Sequence, residues 1–498
     1  MSSDLRNVAS ANGVGPARSV GWWSRAPRWR LIPPLDTYPG VVSFAETTRG
    51  RIAVVVAFGL LLAPVQGKLT IATIAAAAAS AYAPKYRRWA VTAATLIFLM
   101  HDPSWYPSLT ALAAAKEGIA DRIDAPTLQR ALLALFLLLA LAAIHVVRSY
   151  RRAPFNRPIV CLLLLYGASL LIAASHAFRA VSQVVIWGWV GTLGAYFWFL
   201  CYALLDVSKD RAPASMQLGV FHPFWGSSTT PIGKGWVYLR KVEALNAHEL
   251  AITQLKGLKL LAWSLVLRAA YYAFDYASRQ TLTIPTVDEA VVAQIAGAPF
   301  SWYVCWGSLA CSFLRDVLLA AIGGHTIVAC ARLAGFRLLR HTYRPLESRT
   351  IAEFWNRYLF YFKELLVEFF FYPTFIRCFR RHQRLRLFFA TFMAACVGNI
   401  IWHFMRDVSA VLELGLAQAV IGFQTFAFYA AALAVGISMS QLRPRRGIAD
   451  AGWLRGKVLP VARVLLFFCI LEVFDDENRT YSLPQHFALL LHLFGVTL

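Results

Sequence analysis

The sequence predicts an all-α polytopic integral membrane protein, with about ten or eleven transmembrane helices plus re-entrant or interfacial helices. Three observations predict it. Hydrophobic residues fill 58% of the 498 positions and charged residues only 15%, against roughly 25% in an ordinary soluble domain. Mean hydropathy is +0.53. The apolar residues come in runs separated by short basic clusters. Together these exclude a soluble globular enzyme, a disordered chain and a fibrous one. The formal charge of +23, from 49 Lys plus Arg against 26 Asp plus Glu, raises nucleic-acid binding as an alternative. The placement of the basic residues between apolar runs argues against it. That is how Lys and Arg hold loops on the cytoplasmic side, against an anionic bilayer surface. The expected partner is therefore the lipid bilayer, with no nucleic acid.

Spanning a bilayer takes about 20 apolar residues. Residues 1–51 form a polar, cytoplasmic N-terminal tail without a signal peptide, carrying seven Arg and three acids. Its 21–30 stretch mixes Trp with Arg, as interfacial segments do. Apolar runs at 52–66, 69–83 and 89–100 follow, with Pro84 to Arg88 between the second and third. Residues 107–115 are too short to span and are read as interfacial. Runs at 129–147, 158–177 and 183–205 complete an N-terminal transmembrane region over 52–205. A polar cytoplasmic loop over 206–257 comes next, and its 242–257 part reads as a short amphipathic helix. Within it, 221–236 is rich in Gly, hydroxyls and aromatics. Two readings stand for it: an interfacial loop, or a substrate entrance with Lys234, Arg240 and Lys241 facing phosphate. The remaining runs, at 258–277, 301–331, 387–405, 410–439, 458–474 and 484–498, make up a core over 258–498. Basic loops at 84–88, 148–157, 332–350, 377–386 and 441–457, against the acidic Asp475-Asp476-Glu477, place the N-terminus in the cytoplasm. The Ala- and Arg-rich composition is that of a GC-rich bacterium, so the inner membrane is expected.

The eight cysteines lie mostly in apolar runs, with no CxxC and no metal-ligand spacing. They read as small apolar residues, and no metal is expected. His101, His222, His248, His341 and His382 read as surface histidines. His145, His176, His486 and His492 lie in or near spans.

Ionisable residues inside spans are costly and default to function. Arg268 and Asp275 share one face of the 258–277 run, and Arg315 and Asp316 interrupt 301–331. They read either as interhelical salt bridges or as the substrate or proton path of a transporter. The segment 351–376 is too charged for lipid and too aromatic for water. A helix at the interface, or dipping into the bilayer while covered by protein, suits both facts. In it Glu353 and Arg357 can pair at i,i+4. Glu364 and Glu368 repel and need distant cations, and Pro373 is expected to end the helix. In the following span Asn399, His403 and Asp407 recur every four residues and form one polar stripe. A carboxylate or amide beside an imidazole can fix its tautomer and leave the other nitrogen as a base. A hydrogen-bonded core histidine beside a helix-end Asp is the other reading of that spacing.

Phe354-Trp355-Asn356-Arg357-Tyr358, then Tyr372-Pro373, then Trp402-His403 resembles the membrane-bound O-acyltransferase (MBOAT) family in order and spacing. The resemblance covers roughly 350–440. It implies transfer of an acyl group from a thioester donor, acyl-CoA or an acyl carrier protein, to a hydroxyl acceptor. No cofactor is required beyond the donor substrate. His403 maps onto the family's catalytic histidine, with Asn399 and Asp407 as its stripe neighbours. Trp355, Asn356, Arg357, Lys363, Tyr372, Trp402 and His325 are the expected substrate-binding residues. Two positions depart from the pattern. Tyr358 replaces the second tryptophan, and Leu359 stands where the family's second active-site Asn or His falls. Asn356, His325, Asn399 or Asp407 are the candidates to replace that residue. A catalytically silent scaffold remains an alternative. Lipid, polysaccharide, peptide and small-metabolite acceptors all stay open.

Overall fold

The computed structural model describes residues 31–101, 109–150, 157–207, 209, 212–227, 229–443, 452–476 and 481–496. The 21–30 interfacial stretch, the sharp end of the 89–100 run at Asp102-Pro103, residues 444–451 of the 441–457 loop and Glu477 lie outside them. Among the described residues the fold is helical without a strand, apart from one isolated antiparallel bridge between Glu243 and Phe336.

Among the described residues, seven helices are long and apolar enough to cross a bilayer. They are α1 Thr48–Gln66, α2 Ala125–Ser149, α3 Ala180–Val207, α4 Ala247–Thr281, α5 Trp302–Leu333, α6 Gln383–Arg406 and α7 Gln424–Leu442. The chain is an integral membrane protein. Many large apolar side chains face outward, among them Leu60, Ile71, Leu138 and Leu164. Such a surface is stable against lipid and not against water.

The count of long helices is below the expected ten or eleven spans, for local reasons. The 69–83 and 158–177 runs form helices of 14 and 17 residues, Leu69–Tyr82 and Pro158–Ala174. The 410–439 run is interrupted at Gly415, whose φ of 83° breaks the helical path. Only its second half joins a long helix, α7. The 458–474 run folds into a 13-residue helix, Leu459–Leu471.

Caps set several boundaries. Thr47 Oγ1 accepts the Gly50 N–H at 3.1 Å ahead of α1, and Asn246 Oδ1 accepts the Glu249 N–H at 2.8 Å ahead of α4. Because Asn246 caps there, the amphipathic stretch at 242–257 is not a separate helix. It is the first part of α4, which continues through the apolar run. Packing follows from small residues and hydroxyls. Along α4 and α5, Ser264 Oγ lies 2.7 Å from Thr326 Oγ1, and Arg315 pairs with Asp275 at 3.7 Å. That ion pair is the interhelical reading of the intramembrane charges. Arg268 instead reaches the Pro64 carbonyl from an exposed position.

Helix α3 is the central element, with Trp187, Phe197, Trp198 and Phe199 all buried. A Cβ at Gly188 would fall 2.5 Å from Leu132 and 2.7 Å from Thr110, so glycine is what lets α2 and the helix Leu109–Lys116 close on α3. The latter was expected at the interface, but Leu109, Ala113 and Ala114 are buried. The 221–236 stretch also differs from a loop on the surface. Phe221, Trp225, Ile232 and Trp236 fold inward as core. Their aromatic area outweighs the polarity of the hydroxyls around them, and those hydroxyls bond within the loop, as Ser227 Oγ does to the Thr230 carbonyl at 2.6 Å. His222 is carried inward with them, and so is not a surface histidine. His341 is buried too, whereas His101, His248 and His382 are exposed as expected.

Candidate functional site

The aromatic segment folds as two helices, Ile351–Tyr358 and Phe360–Leu366, broken at Leu359. Thr350 Oγ1 caps the first by accepting the Glu353 N–H at 3.0 Å. The break is supported from outside, because Phe360 donates its N–H to the His341 carbonyl at 2.8 Å. Glu353 and Arg357 pair at 2.6 Å. The second helix does not end at Pro373. It widens into a π-turn, Val367–Phe371, and continues as Tyr372–Arg377. The wide turn moves the hydrogen-bond register ahead of the proline, so the missing N–H and the ring are accommodated.

A second π-turn, Met393–Gly398, lies within α6 just ahead of Asn399. The two π-turns pack together. A Cβ on Gly398 would sit 2.6 Å from Cδ2 and 2.8 Å from Cγ of Phe370, so only glycine permits that approach. The last part of α6, Asn399–Arg406, is thereby pressed between α3, α7 and the aromatic segment.

This arrangement links Trp355 to Trp402 and His403 through Phe362, which lies between them. Phe362 lies 4.8 Å from the Trp402 ring and 6.2 Å from that of His403. Phe426 of α7 covers His403 at 4.2 Å, and Trp355 meets Phe362 at 6.0 Å. The half-buried His403 therefore sits in a box of Phe362, Trp402 and Phe426, with Trp355 behind. Asp407 caps α6, and its two carboxylate oxygens receive Arg406 at 2.6 and 2.9 Å. Asn399 is buried, and its Oδ1 has no hydrogen-bond partner. The buried Trp402 Nε1 has none either. Leaving such an atom unpaired in a folded interior costs about 1–3 kcal/mol.

The other expected substrate residues spread outward. Asn356 is exposed and Tyr372 half-exposed, while Arg357 is engaged by Glu353. Lys363 and Lys234 both reach Glu364, each at 2.5 Å, and Lys209 reaches Glu368 at 3.5 Å. Lys234 and Lys209 are the distant cations the two glutamates needed, and Lys363 is a sequence neighbour. Burial alone would raise the Glu364 carboxyl, but Lys363 and Lys234 outweigh it and hold it below the usual range. His325, on α5, donates Nδ1–H to the Ala321 carbonyl at 2.5 Å. The preceding Gly324 packs against His341, whose ring stacks on Tyr361 at 5.9 Å and accepts the Tyr361 N–H at 3.4 Å. His325 thus belongs to the His341–Tyr361 layer, while the next residue, Phe362, faces His403.

Two groups were not read from the sequence. Asp316, Glu472 and Asp475 offer carboxylate oxygens within 4.8 Å of one another, a set able to hold a hard cation. Asp475 and Asp476 were legible only as a topology signal. Nearby, the buried His486 lies 2.5 Å from the Val473 carbonyl through Nδ1 and 3.4 Å from Asp476 through Nε2. His492 Nε2 lies 2.6 Å from the Phe300 carbonyl. A small cavity is lined by Phe98, Leu99, His222, Pro223, Phe224 and Gly226, away from the His403 box. Compared with known protein families and with curated proteins, the chain matches none.

Proposed function

We propose that this integral membrane protein is an MBOAT-like acyltransferase in which His403 is the general base. One observation carries the reading. Trp355 of the first motif half approaches the Trp402-His403 half through Phe362, and Phe362, Trp402 and Phe426 wall the histidine. In the proposed reaction His403 takes the proton of an acceptor hydroxyl as its oxygen attacks the carbonyl of an acyl thioester. A C–O bond forms, the C–S bond breaks, and the imidazolium returns the proton to the leaving thiolate. Aromatic walls suit this chemistry because they exclude the water that would hydrolyse the donor. The donor is acyl-CoA or an acyl carrier protein. Either is anionic and suits the basic cytoplasmic face that the loop charges assign, with the N-terminus on that side. The bacterial inner membrane is the proposed location. The test is release of free thiol from decanoyl-CoA by the full chain in lipid nanodiscs, followed with and without added alcohols. Thiol release equal in His403→Ala and the parent protein sinks the mechanism.

A second reading is favoured by a different observation, the three carboxylates Asp316, Glu472 and Asp475 gathered at α5. Such a group inside an apolar body suits a proton or cation path. Proteoliposomes loaded with a pH dye test it. Proton flux lost in Asp316→Asn favours transport, and no flux in the parent protein removes it.

A further inference from the structure

The basic cluster at 377–386 has no counter-charge of its own. It joins the helix Tyr372–Arg377 to the first turn of α6. It holds five arginines and no lysine, and no acid occurs between Glu368 and Asp407. Arg377, Arg380, Arg381 and Arg384 are exposed. Among the described residues none of the five arginines forms an ion pair. Arg386 folds back on its own segment, 3.9 Å over the Phe375 ring and donating to the Phe375 carbonyl. Arg380 donates Nε–H to the Ile376 carbonyl at 2.9 Å. In other basic loops Arg88, Arg337 and Arg344 each lie 3.4 Å from a carboxylate. Like charges this dense repel one another unless an anion lies among them.

Apolar side chains are interleaved with these charges. Tyr372, Ile376, Phe379 and Leu385 are all exposed. Phe379 takes a φ of 48°, costly for a bulky residue, and packs on Phe389 of α6 at 5.1 Å. That contact pins the turn to the spanning helix. Water suits the guanidinium groups and not the rings, and hydrocarbon suits the reverse. The headgroup level of a bilayer meets both demands. The apolar run of α6 begins at Leu387, directly after Arg386. The arginines therefore stand where α6 enters the apolar layer, at the depth of lipid phosphates.

We propose that the 377–386 turn binds the phosphate of an anionic phospholipid through Arg377, Arg381 and Arg384. The planar guanidinium fork matches phosphate geometry, which a run of lysines would not. Ile376, Phe379 and Leu385 lie along the lipid's chains. Those apolar side chains favour a phospholipid over a soluble phosphate or an acidic protein. The site stands independently of the acyltransferase reading.

The test uses the full chain, delipidated in an uncharged detergent, so that no anionic surface surrounds the other basic loops. Native mass spectrometry follows retention of added phosphatidylglycerol, with phosphatidylcholine as the neutral comparison. The parent is expected to retain phosphatidylglycerol saturably and to lose phosphatidylcholine. The variant Arg377→Gln/Arg381→Gln/Arg384→Gln should bind phosphatidylglycerol about a hundredfold more weakly, at about fivefold per charge. Its melting temperature should match the parent's, because all three side chains are exposed. Lys85→Gln/Lys241→Gln/Arg349→Gln removes the same charge from exposed positions elsewhere and should bind like the parent. Equal weakening in both variants overturns the site, as does equal retention of the two lipids by the parent. Displacement of the lipid by glycerophosphoglycerol or coenzyme A assigns the arginines to a soluble phosphate and overturns the proposal. Unchanged lipid retention in the arginine variant, with loss of binding to an acyl carrier protein, overturns it in favour of a protein partner.

Discussion

Gly398→Ala isolates the contact that presses the histidine helix against the aromatic segment. In an ordinary helix this change is favourable, because alanine is better than glycine by about 0.5–1 kcal/mol. Here the new Cβ lies 2.6 and 2.8 Å from Cδ2 and Cγ of Phe370. Those atoms are near the root of the ring, so a rotamer change cannot clear them without moving the π-turn Val367–Phe371. Overpacking of this kind costs about 1–3 kcal/mol, so the net effect is a destabilisation of about 0–2.5 kcal/mol with the sign reversed. Gly323 of α5 is the control, because a Cβ there meets nothing within 4 Å. Gly323→Ala should stabilise by about 0.5–1 kcal/mol. Denaturant unfolding of both variants in mixed micelles reads the difference, and Phe370→Ala should rescue Gly398→Ala in a double-mutant cycle. Gly398→Ala more stable than Gly323→Ala, or a cycle with no coupling, refutes the close packing of the two π-turns.

Further outcomes follow from the same structure. Burial pushes His222 and His341 down to about 4, below the unfolded value of about 6.5. The unfolded chain then binds more protons between these values, so stability falls as pH drops from about 6.5 to 4, by roughly 3 kcal/mol per histidine. Melting curves of His222→Asn and His341→Asn across that window should be flatter than the parent's. Glu364 has the depressed pKa of a paired acid, so its contribution is present above about 4.3 and lost as pH falls through its lower folded value. Glu364→Gln should remove that acid-side loss, and an unchanged profile contradicts the double lysine pairing. Ser264→Ala, which breaks the bond to Thr326 between α4 and α5, should cost about 0.6 kcal/mol, the usual size of a hydroxyl contact between membrane helices.

What was legible in the sequence was local. The length of α5 followed from the 301–331 run, which stays apolar on both sides of Arg315 and Asp316, and the Glu353–Arg357 pair from i,i+4 spacing. The link from Trp355 through Phe362 to His403 was not legible from periodicity, which says nothing of which rings meet across helices. What was not legible depends on distant partners. One of the two cations on Glu364 is its neighbour Lys363, but the other, Lys234, comes from 130 positions away, and no periodicity signals it. Asp316 meets Glu472 and Asp475 only because the helix Leu459–Leu471 packs on α5. The π-turns left no trace because they insert one extra residue without any special residue type. That insertion is also why Pro373 fails to end its helix. The inward fold of 221–236 was obscured by its Gly, Ser and Thr content, which reads as a loop until its tryptophans find a core.

The most direct measurement of the central claim is the rate of decanoyl transfer to 1-decanol by the nanodisc-embedded protein, parent against His403→Ala. Loss of a general base predicts a fall of about 10²–10⁴-fold in turnover. A His403→Ala variant that transfers the acyl group within a few-fold of the parent rate contradicts the account.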